Sequence, residues 1–206
     1  DDDAPDIPVW SFGYLYLAQT DAMADVLRRN HALQSRLGAA TRLLTPDEIS
    51  AAYPFYALDD VILGSHNPVN EGYFDGGTVF DWFRRKSRLL GAEWITARAT
   101  GLSREGHKIT GVTLDTGDTV GCGAVVNCAG TRGPDIARMA GLDLPVEPRK
   151  RFTFVFEAED PLPGDLPLTI DPSGVHVRSD GPRTYLAGCP PDIDTAVSPD
   201  DFEMDW

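Results

Sequence analysis

The side chains best placed for chemistry are His176 and Arg178, two apart in the β-like run GVHVRS and so on one face of a strand. An imidazole beside a guanidinium can hold a carboxylate. The same pair would also suit a polar sheet edge. Arg149-Lys150-Arg151 is a basic patch on an acidic chain, and Arg151 leads directly into the run RFTFVFEA. That patch can attract an anionic substrate, or it can be a salt-bridged strand entrance. A third feature offers backbone rather than side chains. Ala124-Val125-Val126-Asn127-Cys128 ends in Ala129-Gly130, and Pro134 then opens a short helical pattern. A buried parallel strand that stops at a small residue and glycine before a helix is how α/β proteins bring N–H groups close to a nucleotide.

Other chemistries find no support. No G-x-G-x-x-G turn occurs, and Gly121-Cys122-Gly123 precedes a strand where a dinucleotide fingerprint would follow one. The chain has no G-x-S-x-G, H-E-x-x-H or C-x-x-C. His31, His66 and His107 are isolated, so no metal site and no catalytic residue is expected. A net charge of −14, from 32 acids against 18 bases, argues against nucleic acid or an anionic membrane as partner. No apolar run approaches the length of a transmembrane helix. Of the three cysteines, Cys122 and Cys128 are expected to act as small apolar residues in or beside a strand, which points to a reducing cytoplasm. Asp1-Asp2-Asp3 reads as a boundary or frayed end.

These residues need elements to position them. An aromatic-rich strand is expected over 9–18, and Met23, Val26, Leu27, Leu33 and Leu37 recur at helical spacing before Gly38. Thr45-Pro46-Asp47-Glu48 is a capping box with proline at the first helical position, so a helix runs from there to about Tyr53. Val79, Trp82, Phe83, Lys86, Leu89 and Leu90 mark a third helix from about Thr78, closed by Gly91. A strand is expected over AEWITARAT, then two strands joined by Asp115-Thr116-Gly117-Asp118, then the 124–127 strand and a helix over Pro134–Ala140. RFTFVFEA, GVHVRS and RTYLAGC suggest an antiparallel sheet.

GYLYLA at 13–18, EGYFD at 71–75, FRRKSRLLGAE at 83–93, VVNCAG at 125–130 and LPVEPRKRF at 144–152 resemble, in order and spacing, the D-amino-acid oxidase superfamily of flavin oxidoreductases. That superfamily includes sarcosine oxidase, glycine oxidase and dimethylglycine dehydrogenase. The likeness is closest to the branch called FAD-dependent oxidoreductase domain-containing proteins, and DPSGVHVRSDG at 171–181 and DFEMDW at 201–206 add to it.

The resemblance implies a mixed α/β (α+β) fold: an antiparallel substrate-binding sheet with helices, plus an incomplete, Rossmann-like FAD-binding subdomain with a β-meander. Its pieces would be 1–75, 76–143 and 144–206, the middle one being the FAD-binding part. It places Cys128, Ala129 and Gly130 beside FAD, and gives Ala99 and Thr100 backbone contacts to the adenine edge. His176, Arg178 and Arg151 fall on the substrate side. The implied reaction is oxidation of a small amine or amino acid at the C–H next to nitrogen, with no protein acid or base required; no electron acceptor is named. Relatives begin with a strand–GxGxxG–helix unit and continue past the DFEMDW-like segment. The chain therefore reads as a central piece, inactive and free of FAD on its own. The alternative is a non-catalytic flavin-fold scaffold or assembly factor.

Overall fold

The computed structural model describes residues 4–204; Asp1–Asp3, read above as a boundary, and the closing Asp205-Trp206 of DFEMDW lie outside the described residues. Two compact units are present, residues 1–86 with 151–191 and residues 87–150 with 192–206.

The first unit is built on a seven-stranded sheet. Its strands are β1 (Tyr14–Ala18), β2 (Arg42–Leu44), β3 (Leu63–Asn67), β7 (Phe154–Glu157), β8 (Leu168–Ile170), β9 (His176–Ser179) and β10 (Thr184–Gly188). They lie in the order β2-β3-β1-β8-β9-β10-β7. All neighbours are antiparallel except β1 and β8, which are parallel. The strand expected over 9–18 begins at Tyr14; ahead of it, Trp10 makes an isolated bridge to Tyr73.

Alternation decides which face of the sheet is buried. Leu15 and Leu17 of β1 point to one side, where they pack with Leu44, Ile49 and Val61. Ile49 sits on α2 (Pro46–Ala52), whose start is the capping box: Thr45 N–H donates to Glu48 Oε2 (2.8 Å) and Glu48 N–H to Thr45 Oγ1 (3.3 Å). On the same face the half-buried Tyr56 hydroxyl meets Thr169 Oγ1, and burial pushes that phenol up to about 12. α1 (Asp21–Arg36) covers the other face only at its β3-β1 end, through Ala24, Ala18 and Leu63, with Leu43 of β2 beside them. From β1 to β10 that second face is left half-exposed. His176 and Arg178 stand there.

α3 (Gly76–Leu89) matches the third expected helix, and the boundary between the units falls within it. The second unit carries the meander β4 (Ala99–Glu105), β5 (Lys108–Leu114) and β6 (Thr119–Gly121), and then α4 (Gly133–Met139). Two expectations are corrected here. AEWITARAT is strand only from Ala99 onward, and 124–127 forms no strand. Among the described residues no strand lies beside 124–127 to take its N–H and C=O groups, and a parallel strand needs such neighbours. Val126 is consequently 83% exposed, and Cys128, expected as a small apolar residue beside a strand, is exposed too.

One buried group gives the first unit a pH response. His66 of β3 is buried against Tyr53 (edge-on, 6.0 Å between rings), and its Nε2 has no hydrogen-bond partner among the described residues. Burial holds its pKa below the ordinary value, with the Phe12 backbone and Glu71 pulling the other way and Arg42 adding to the depression. Well above pH 6.5 the imidazole is neutral in both folded and unfolded chains. As the pH falls below that, the unfolded chain takes the proton first and stability declines until the folded pKa is passed. His66→Phe is expected to remove this component, at most about 1.4 kcal/mol per pH unit. Urea midpoints of the two proteins from pH 8 to pH 5 check it: the gap between them must change as the pH drops.

Candidate functional site

Register across the sheet shows which residues share the half-exposed face. Ser65 pairs with Tyr16, Tyr16 with Ile170, Ile170 with His176, and His176 with Gly188. Directly opposed residues project to the same side, so these five form a row across five strands. Tyr16, 40% exposed, and His176 stand two strands apart, about 10 Å at the usual strand spacing. The Tyr16 phenol is held above its usual pKa by burial, then by Glu71 and Tyr14. Gly188 leaves room for the imidazole: a Cβ there would fall 2.7 Å from His176 Nε2 and 2.8 Å from the Phe152 carbonyl oxygen.

Arg178 lies one step further along the same face and borders a cavity of about 640 Å³ whose walls include Trp10, Phe12, Tyr73 and Tyr185. Its guanidinium sits 4.5 Å above the Tyr73 ring, itself stacked on Trp10 at 5.6 Å. Nη1 donates to Asp180 Oδ1 (2.7 Å) and to the Ser179 carbonyl (2.9 Å). Among the described residues these bonds leave the Nε–Nη2 edge without a protein acceptor. A guanidinium anchored at one nitrogen beside aromatic walls presents a fork suited to a carboxylate. Arg151 is exposed, three residues ahead of β7, and does not line this cavity.

In the second unit, Ala99 and Ala129 line one groove of about 670 Å³, together with Arg98, Arg132, Arg138 and Met139. Asn127 shapes its wall. The Asn127 side chain accepts from Ala129 N–H (3.2 Å) and donates to the Gly133 carbonyl (2.8 Å), turning the chain from the extended 124–127 run into α4. Gly130 opens the turn in the left-handed conformation, φ +55°, with open space where a Cβ would be. Thr100, Cys128 and Gly130 do not line the groove; Thr100 Oγ1 is turned to the Thr113 carbonyl (3.3 Å). The sequence reading missed Tyr16, the Trp10–Tyr73 pair and the arginines around the groove. Only the aromatic density of 9–18 and EGYFD hinted at the first two.

The family model FAD dependent oxidoreductase (DAO) matches residues 1–206. The chain belongs to the FAD dependent oxidoreductase family. It is 30% identical to FAD-dependent oxidoreductase domain-containing protein 1 of Xenopus laevis over 99% of the chain and 47% of that protein. It is 27% identical to the sarcosine oxidase subunit beta of Arthrobacter sp over 80% of the chain and 41% of the relative. The fold is that of L-proline dehydrogenase from P. horikoshii (TM-score 0.80, 24% identity, 94% of this chain and 52% of that one). Glycine oxidase from Geobacillus kaustophilus shares it too (TM-score 0.76, 21% identity, 95% and 50%). The chain spans about half the length of the curated relatives it matches.

Membership makes FAD the cofactor of the full-length protein, and the groove is chemically suited to part of it. Ala99 and Ala129 line it with little bulk beside Arg98, Arg132 and Arg138, cations suited to a diphosphate; Asp135 lines it too and pairs with Arg138, and Arg132 pairs with Asp200. Among the described residues no His/Cys/Asp/Glu cluster could hold a metal ion, and no helix is long and apolar enough to cross a membrane.

Proposed function

We propose that the full-length protein oxidises a small amino acid or amine, of the sarcosine, glycine, dimethylglycine or D-amino-acid type, with the sheet of this chain as the substrate wall. The Arg178 guanidinium carries this reading: it is anchored through Nη1, has no protein acceptor at its other edge among the described residues, and borders an aromatic cavity. In it, the Nε–Nη2 edge holds the substrate carboxylate, and Trp10, Tyr73 and Tyr185 exclude water from the apolar body. Tyr16 and His176 supply polar contacts along the same face, and Arg151 adds a positive approach. Ala99, Thr100, Cys128, Ala129 and Gly130 serve the adenine side of FAD through backbone and low steric bulk. Bound FAD supplies the acceptor for the hydrogen and electron pair leaving the C–H next to nitrogen. No side chain of this chain need act as acid or base. The names of the relatives, sarcosine oxidase and glycine oxidase among them, support the substrate class.

The isolated chain is proposed to hold no FAD and to be inactive, since its 206 residues contain no glycine-rich phosphate turn. A purified chain without the yellow flavin absorbance is the expected result. For the full-length protein, the test is anaerobic bleaching of the flavin by sarcosine, glycine, proline, dimethylglycine and D-amino acids. Reduction by at least one is expected. No reduction by any of them overturns the enzyme reading and leaves the non-catalytic scaffold.

A further inference from the structure

Residues 192–203 of the second unit carry five acids and no base. Lys150, Arg149 and Arg132 near them are engaged. Lys150 Nζ binds Asp201 Oδ1 (2.7 Å) and the Glu203 carbonyl (2.9 Å), and Val197 N–H donates to the Pro148 carbonyl (3.1 Å). Arg149 reaches Glu147 and the Asp194 carbonyl. These contacts hold the segment along 147–150, and its Asp200 reaches Arg132. There the carboxylate takes both guanidinium nitrogens, Nη1 to Oδ2 at 3.2 Å and Nη2 to Oδ1. Arg132 lines the groove that Ala99 and Ala129 floor, and Arg98, a second lining residue, adds to the positive field at Asp200.

We propose that Arg132, with Arg98 beside it, is an anion subsite at the mouth of this groove, and that Asp200 is its built-in competitor. A bidentate carboxylate occupies a guanidinium in the geometry a phosphate uses. The class of ligand that displaces it is a phosphate ester on an adenine nucleotide, which rests on reading the groove as the nucleotide side of the FAD site. The acidic segment would then release Arg132 only when a competing anion arrives.

Inorganic pyrophosphate and ADP, titrated into the chain and followed by ¹H–¹⁵N NMR, test this directly. Asp200→Asn is expected to tighten pyrophosphate binding about tenfold, because the competitor loses its charge but keeps its size. Asp192→Asn removes the same charge from the same segment without touching Arg132, so it should gain little. The double variant D200N/R132Q should lose the gain. Pyrophosphate bound no more tightly by D200N than by the parent overturns the proposal, as does an equal gain in D192N or a gain that survives R132Q. If D200N gains for pyrophosphate but ADP binds no better than pyrophosphate, the anion subsite stands and the nucleotide reading of the groove falls.

Discussion

Gly72→Ala is expected to destabilise the chain by about 3 kcal/mol or more and to dissolve the aromatic wall of the substrate cavity. A Cβ at Gly72 would lie 1.7 Å from the Trp10 carbonyl oxygen and 2.7 Å from its carbon. These are backbone atoms, so no rotamer change relieves the collision. The Trp10–Tyr73 bridge, two hydrogen bonds of 2.8 and 3.1 Å, must part instead. With it go the stacking of the two rings and the ring on which Arg178 rests. Urea unfolding followed by tryptophan emission reads both effects, since Trp10 gains solvent when the bridge opens. Gly76→Ala is the control: nothing lies within 4 Å of its added methyl, and its stability should stay within about 0.5 kcal/mol. A Gly72→Ala chain as stable as the parent would mean that the two segments are not paired as described.

The same glycine shows what the sequence could and could not disclose. EGYFD was legible as a family-like stretch, but its reason was not. The close approach is made to a residue 62 positions away, and no local pattern encodes it. Features governed by near neighbours in the chain were legible. α1 and α3 follow from apolar spacing, α2 from its capping box, and the β5–β6 hairpin from its Asp-Thr-Gly-Asp turn. The shared face of His176 and Arg178 follows from the two-residue period of a strand.

What escaped depends on pairing. β2, β3 and β8 are short or polar (RLL, LGSHN, LTI) and show no alternation to read. The row joining Tyr16 to His176 exists only because β8 lies between β1 and β9, parallel to one and antiparallel to the other. The 124–127 run failed in the opposite sense. Its composition suits a buried parallel strand, but strand formation also needs neighbours, and among the described residues it has none. Composition can state a segment's preference; only the assembled sheet can satisfy it.

In the full-length protein, Arg178→Ala should cut kcat/KM for a carboxylate-bearing amine about a hundredfold, mainly through KM. The guanidinium can perform two tasks. Nη1 neutralises Asp180 and supports the Ser179 carbonyl, which is structural. The Nε–Nη2 edge has no protein acceptor among the described residues, and the cavity that Arg178 borders is lined by no second Lys, Arg or His but by Asp165 and Asp180. Alanine removes both tasks, so the two must be separated by the choice of substrate and of variant. An amine lacking the carboxylate never uses the fork, and its kcat/KM should stay within a few-fold of the parent's. Arg178→Lys keeps a charge able to pair with Asp180 but loses the planar fork, so it should restore stability without restoring KM. Equal losses for both kinds of amine, or full recovery with lysine, would assign Arg178 to holding Asp180 and remove it from the substrate. A selective loss would place the substrate carboxylate beside β9, on the half-exposed face of this sheet. Its amine would then lie toward Tyr16 and His176, which the register sets on that half-exposed face between β1 and β10, as it does Tyr14 and Thr184.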